Sequence, residues 1–244
     1  MAMMAASSTV PDAHSEFASR PHSPSANYVD VLKVLLSFFM IVVSLLLKLR
    51  RDLLKSRLAR VSSLHVFPTN TASALSPSAV RLVANVGVVM TTDKQEEIWD
   101  RYASNTNKGS YSHKPEKGRQ VTLFASSAIK SADVKPSECR RNIALDNITA
   151  EELNEAIGHE IKIGKTAVVF AHRRTVPCMP LERRLKKPGL REEIWDKAGV
   201  SCEILVSGEV KCGDAFKIGA HHPERIDTPW TPDMFVRPSQ RKTG

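Results

Sequence analysis

Residues 1–27 are rich in Ala, Ser, Pro and His and lack apolar periodicity, a composition that predicts disorder. The pattern then changes abruptly. Val34 to Leu47 reads VLLSFFMIVVSLLL, with two serines as its only polar residues and Lys33 and Lys48 at its ends. Fourteen uncharged residues are short for a membrane span, which needs about 20. Val31, Leu32 and Leu49 extend the run, because end lysines can lift their ammonium groups to the interface. Its eleven Leu, Ile, Val and Phe residues contribute roughly −3 to −7 kcal/mol to insertion. Lys48, Arg50, Arg51, Lys55, Arg57 and Arg60 follow, against one acid, Asp52. Residues 28–57 therefore read as a membrane-anchor helix that enters the bilayer through residues 31–49. The basic flank predicts a single pass with the remaining chain facing the cytosol. The pattern does not fix the organelle, and the mitochondrial outer membrane is compatible with it. A buried amphipathic helix and a targeting segment are the alternatives.

From Arg60 the texture becomes short alternating segments. Strands are expected at Val61–Val66, at Val80–Val89 with a break at Gly87, at Gln120–Phe124 and at Asn142–Asp146. Glu160–Ile163 and Ala167–His172 form a pair around Gly164-Lys165. Cys202–Val206 and Glu209–Cys212 read as a hairpin around Ser207-Gly208. Helices are expected at Asp93–Tyr102, Ser126–Lys130, Ala150–Ile157 and Leu190–Ala198. The third opens with a capping box, Thr149 with Glu152. Many short strands with small helices predict a mainly β, α+β domain of barrel type over residues 58–219. Residues 220–244 form a Pro-rich tail.

Net charge is +9, which suits an anionic cofactor or a membrane surface. Much of the excess flanks the apolar run and aromatics are few, so no nucleic-acid partner is expected. The cysteines, Cys139, Cys178, Cys202 and Cys212, form no CxxC or zinc spacing. Cys202 and Cys212 would face each other across the expected hairpin, where buried thiols are a simpler reading than a disulfide. No P-loop, GxSxG or dinucleotide fingerprint occurs. Two places carry candidate chemistry. Cys178 follows Pro177 and lies close in sequence to Arg173-Arg174; a neighbouring guanidinium favours a thiolate, which is both a nucleophile and a soft metal ligand. Arg140-Arg141-Asn142 opens a strand with forked and amide donors. Arg119-Gln120 opens another. From spacing alone, a buried turn cysteine and solvated basic turns are the favoured reading of these residues.

The order of short pieces along the chain resembles the MOSC domain, the C-terminal domain of molybdenum cofactor sulfurase. The pieces are Arg60–Val66, Arg81–Ala84 with Gly87, Asp100–Ala103, Tyr111–Pro115, Gly118–Leu123, Arg141-Asn142-Ile143, Gly158 with Ile163-Gly164, Arg174 with Pro177-Cys178, and Gly208 with Gly213-Asp214. The resemblance implies a β-barrel that holds the molybdenum-pterin cofactor. In relatives the cysteine of the Pro-Cys pair is the protein thiolate on molybdenum, which carries onto Cys178 as catalytic residue and metal ligand. Arg119, Arg141, Asn142 and Arg174 are then candidates for holding the cofactor. Family members include reducers of N-hydroxylated compounds, which take a small-molecule substrate and electrons from a partner protein. They also include sulfurases, whose separate domain uses pyridoxal phosphate; none is expected to bind here. A non-catalytic carrier of the cofactor or its sulfur, or a scaffold without a site, would share the same fold. One departure is large. The family's Gly-x-x-Gly-Asp turn is here Gly87-Val88, about ten further residues, then Trp99-Asp100. This insertion either distorts the turn or stands off as a surface excursion.

Overall fold

A computed structural model describes residues 26–69, 71–103, 118–130, 132–226 and 236–240. Residues 1–25 of the expected disordered stretch and the Tyr111–Pro115 piece lie outside the described residues. The chain divides into two compact units, Met1–Asp52 and Leu53–Gly244. The first is dominated by helix α1, Ala26–Arg57. Its segment Asp30–Leu49 is long and apolar enough to cross a membrane, and its Leu, Phe, Ile and Met side chains are exposed. By length and composition alone, a helix of this kind meets the requirement for a membrane span, a test that a signal sequence also passes.

The second unit is mainly β. Its strands are β1 (Arg60–Leu64), β2 (Ala79–Val83), β3 (Gly87–Thr91), β4 (Glu97–Trp99), β5 (Val121–Ala125), β6 (Ile143–Asp146), β7 (His159–Ile163), β8 (Ala167–Arg174), β9 (Val200–Val206), β10 (Gly208–Lys211) and β11 (Phe216–His221). A seven-stranded sheet has the order β1-β6-β5-β9-β8-β7-β11, and a four-stranded sheet the order β10-β2-β3-β4. Among the described residues only β5 and β6 run parallel; the other pairs are antiparallel. The large sheet curls until its edge strands meet. Arg60 bridges Ala215, and the Phe216 amide donates to the Ala59 carbonyl at 2.9 Å. Three short helices cover it: α2 (Ala150–Glu155), α3 (Met179–Leu185) and α4 (Leu190–Glu193).

Alternation explains the layering. Strand β5 is buried at every position, because its two faces serve two clusters. Val121, Leu123 and Ala125 point into the core inside the curled sheet, with Leu64, Ile143, Ile161 and Ile204. Phe124 points the other way, joining Ala144, Cys139, Leu181, Leu190 and Ile194 beneath α3 and α4. Gly199, at φ +89°, lets β9 pass this crowded strand: a Cβ there would sit 2.0 Å from the Leu123 carbonyl oxygen.

The expected capping box at Thr149 is present, with Glu152 Oε2 accepting from the Thr149 amide at 2.8 Å and Thr149 Oγ1 accepting from the Glu152 amide at 3.1 Å. Four expectations need correction. Asp93–Tyr102 is not a helix: Val89, Met90 and Thr91 pair with Trp99, Ile98 and Glu97, so the inserted residues extend a hairpin. Val80–Val89 is two strands that fold back on each other. Helix α4 ends at Glu193 rather than Ala198. The expected Cys202–Cys212 hairpin does not form. Strand β9 pairs with β8 and β5, whereas β10 pairs with β2 in the other sheet. Gly208 marks this crossing; a Cβ there would meet Thr166 Oγ1 at 2.4 Å. Cys202 is accordingly buried and Cys212 exposed, both as free thiols. Strand β11 and helix α3 are elements that the alternation did not announce.

The hairpin delivers Asp100 to the interior, where it is fully buried. Asp100 Oδ2 accepts from the Phe67 amide at 3.0 Å and from Asn142 Nδ2 at 2.9 Å, and Oδ1 from the Tyr102 amide at 3.1 Å. Asn142 Oδ1 accepts from the Thr122 amide at 3.0 Å and hydroxyl at 2.9 Å. Burial pushes the Asp100 carboxyl above its ordinary value, while these donors and Arg101 oppose the shift.

Removing either end of this network strands buried donors. Asp100→Ala and Asn142→Ala are each expected to cost about 2–4 kcal/mol, with the double variant costing less than their sum in a chemical-denaturation cycle. A second prediction concerns His65, whose ring lies between the Ser63 and Ser76 hydroxyls at 2.9 and 3.1 Å. Burial lowers its pKa from 6.5 to about 4. The unfolded chain therefore binds a proton near pH 6.5 that the folded chain refuses until about pH 4. This contribution to stability is complete above that window and is lost as pH falls through it. His65→Gln should flatten the acid limb of denaturation midpoint against pH; an unchanged limb would refute the assignment.

Candidate functional site

Cys178 sits where β8 gives way to α3. The chain leaves the sheet at Arg174 and is pinned at Thr175, whose amide donates to the Gly199 carbonyl at 2.7 Å and whose hydroxyl lies 3.1 Å from that of Ser201. Pro177 is buried, and its carbonyl accepts from Arg191 Nε at 3.4 Å. Cys178 then takes the N-cap position of α3 with extended backbone. Leu181 anchors the first turn: its amide donates to the Cys178 carbonyl at 3.1 Å, and its side chain enters the cluster that holds Cys139. The thiol of Cys178 is left exposed on a backbone fixed from both sides.

Two guanidinium groups interact electrostatically with this thiol, and a third interacts with both of them. Arg141 precedes β6 and is half-buried; its Nε donates to the Ala198 carbonyl at 2.8 Å. Burial pushes its pKa below the usual arginine range. The Cys139 thiol, the Tyr102 hydroxyl and the Cys178 thiol pull it back, and the Arg101 charge adds to the lowering. Arg184, on α3, donates to the Glu138 carbonyl at 3.3 Å. Partial burial lowers its pKa, with Cys178 opposing and Arg101 reinforcing the shift. Arg101 comes from the far side of the hairpin. Its guanidinium lies 4.5 Å from the Tyr102 ring centre and 5.6 Å from that of Phe67, and Nη2 donates to the Tyr102 hydroxyl at 3.1 Å. Arg141 and Arg184 thus each interact electrostatically with Cys178, and Arg101 with both arginines. Like charges held this close favour an anion between them.

The sequence-derived residues separate into groups. Cys178 and Arg141 are brought together. Asn142 is spent inside: besides its bonds to Thr122 and Asp100, Nδ2 reaches the His65 carbonyl at 3.3 Å. Arg174 pairs with Asp196 at 2.5 Å, an acid that Arg237 also contacts. Arg119 is half-buried two residues before β5. Arg140, in left-handed conformation at φ 56°, binds the Ala72 and Thr69 carbonyls at 3.1 and 2.8 Å and stacks on Phe67. Sequence reading missed Arg101 and Arg184. The only signal for Arg184 was its place in a basic pair a few residues beyond Cys178, and the inserted hairpin disguised Arg101.

Gly87 secures the hairpin end of the site. At φ +149°, a Cβ there would come within 2.8 Å of the Ala103 Cα, so Gly87→Ala has to displace the segment that carries Arg101 and Tyr102. A loss of about 1–3 kcal/mol in stability is expected, together with faster alkylation of Cys178, read by thermal denaturation and by mass spectrometry after iodoacetamide.

No curated protein matches the chain significantly. Among solved structures, YuaD from Bacillus subtilis is similar at 14% identity and TM-score 0.47, over 66% of this chain and 94% of that one. YiiM from Geobacillus stearothermophilus is similar at 13% identity and TM-score 0.48, over 66% of this chain and 75% of that one. YiiM from Escherichia coli is similar at 11% identity and TM-score 0.43, over 73% and 83%. The MOSC domain family model matches residues 117–217, the stretch from the segment before β5 to the strand that meets β1. Residues 117–217, which include most of the curled sheet, are thus similar to the MOSC domain family.

Proposed function

We propose that this protein holds the molybdenum cofactor, with the Cys178 thiolate as its ligand to the metal, and reduces N-hydroxylated or related N-oxygenated compounds. The observation that carries this reading is an exposed thiol on a fixed backbone within the field of Arg141 and Arg184. The donor set fits the group. Among the described residues no cluster of three or more His, Cys, Asp or Glu side chains could hold a metal ion. A metal here would thus draw on a single soft thiolate, with its other ligands coming from the cofactor. Arginine forks suit the pterin phosphate. Arg141 and Arg184 are the candidates to hold it, with Arg101 as a third positive wall.

When bound, the cofactor supplies two-electron oxygen-atom chemistry: an N–OH group, two electrons and two protons give N–H and water. The chain's own task is positional. The N-cap geometry at Cys178 and the Thr175–Gly199 bond fix the thiol, and the arginines screen the anionic group beside it. Electrons would come from a partner protein. Helix α1 would hold the domain at a membrane in a single pass, with the basic flank on the cytosolic side.

Protein purified from a cofactor-competent host should contain molybdenum and pterin near one per chain. Cys178→Ser should lose most of the metal, and Arg141→Gln should lower pterin retention several-fold. Equal molybdenum in wild type and Cys178→Ser would sink the ligand assignment. Reduction of an amidoxime with an artificial electron donor separates an enzyme from a carrier: cofactor retained without turnover across several N-hydroxylated substrates favours the carrier.

A further inference from the structure

Residues 191–199 support the thiol site from one continuous stretch. Arg191 Nε donates to the Pro177 carbonyl at 3.4 Å, and Asp196 Oδ1 pairs with Arg174 Nη1 at 2.5 Å. The Gly199 carbonyl accepts from the Thr175 amide at 2.7 Å. The Ala198 carbonyl accepts from Arg141 Nε at 2.8 Å. Arg174, Thr175 and Pro177, which lead the chain to Cys178, therefore all lean on this stretch. Its apolar side is fixed, because Ile194 enters the cluster that holds Cys139 and Leu181 and Trp195 is buried. Asn154 Nδ2 secures its backbone at the Asp196 carbonyl, at 2.8 Å.

Its charged side carries residues 236–240, near the C-terminus. Arg237 Nη1 reaches Glu192 Oε1 at 3.2 Å, and Nη2 contacts Asp196 Oδ2. Ser239 Oγ donates to Glu192 Oε1 at 2.9 Å. Asp196 thus has a guanidinium on each oxygen, Arg174 from the end of β8 and Arg237 from the C-terminal segment. The Glu192, Asp196 and Arg237 side chains are 37%, 43% and 35% exposed. Ion pairs this exposed are individually weak and are screened by salt. The attachment can therefore open without unfolding the sheet beneath it.

We propose that residues 236–240 form a reversible strap, and that Asp196 is the positioning residue through which the strap steadies the segment carrying Cys178. This rests on reading Cys178 as the working thiol of the site. With the strap seated, Arg237 neutralises Glu192 and shares Asp196 with Arg174. Its release takes from Glu192 the Arg237 and Ser239 partners and leaves the Asp196 carboxylate to Arg174. The single remaining pair is exposed and free to swing into water, so the end of β8 and the Thr175–Gly199 bond lose a fixed wall. Raised ionic strength, which screens Arg237 from both acids, favours the open state.

The test is hydrogen exchange read by mass spectrometry on the full chain in neutral detergent. Arg237→Glu should speed exchange several-fold in the C-terminal peptide and in the peptide carrying the Thr175 and Leu181 amides, while peptides from β1 and β6 stay unchanged. The charge swap Glu192→Arg/Arg237→Glu should restore at least half of the lost protection, a rescue that a purely steric role would not give. Asp196→Asn should speed the Thr175 peptide with Arg237 still in place, and the mild variant Ser239→Ala should act in the same direction by less. The substituted side chains are partly exposed, so the variants should fold, which the β1 and β6 peptides report in the same experiment. Acceleration confined to the C-terminal peptide would overturn the coupling. A C-terminal peptide that exchanges equally fast in wild type and Arg237→Glu would overturn the strap itself. Molybdenum content reports on the ligand reading separately: equal metal in wild type and Cys178→Ser sinks that reading and leaves the exchange result standing.

Discussion

The fully buried carboxylate of Asp100 joins the two sheets, and the rest of the domain is arranged around the need to satisfy it. A buried carboxylate is costly unless donors surround it. Here the donors come from three separate places: the Phe67 amide after β1, the Asn142 amide group before β6 and the Tyr102 amide just beyond β4. Asn142 in turn ties down Thr122 on β5. The same network therefore fixes the start of the parallel β5–β6 pair and the end of the hairpin. Since Arg101 and Arg141 are immediate chain neighbours of Asp100 and Asn142, a buried bond between two core residues positions one buried and one half-buried arginine.

The thiol site follows the same logic. Its parts are distant in sequence: Arg101 and Arg141 sit on irregular backbone beside strand ends, whereas Cys178 caps α3 and Arg184 lies on that helix. The sheet sets where those ends fall, and the small helices close the second core beneath them. Cys139 and Cys178 show how environment divides one residue type. Burial pushes the Cys139 thiol up to about 11, so it behaves as a small apolar core residue, whereas Cys178 stands exposed on its cap.

The residues after Val88 build the edge of the four-stranded sheet. Added in register at the edge of the four-stranded sheet, they pair with β3 and return Asp100 to the interior. Trp99 occupies a ladder position opposite Val89, where a side chain is tolerated and no glycine is needed.

Alternation and turn residues by themselves determined that the domain is mainly β. They located β1, β5, β6, β7, β8 and β9 within a few residues, because two-residue periodicity is a local property of half-buried strands. They also marked the long apolar helix and the Thr149 cap. The ordered motifs from Arg60 to Asp214 singled out Cys178. Periodicity misread Asp93–Tyr102, where polar residues with scattered apolar ones fit a helix as well as a short hairpin. It also misjudged β9 and β10, since a strand's partner is chosen by tertiary packing rather than by the turn that follows it. The role of each basic residue was equally beyond the sequence. Arg141, Asn142 and Arg174 look alike as polar candidates, yet the fold sends one toward the thiol, buries one in the Asp100 network and pairs one with Asp196. Side-chain direction at strand ends depends on which partners burial leaves unsatisfied, and only the folded chain brings those partners together.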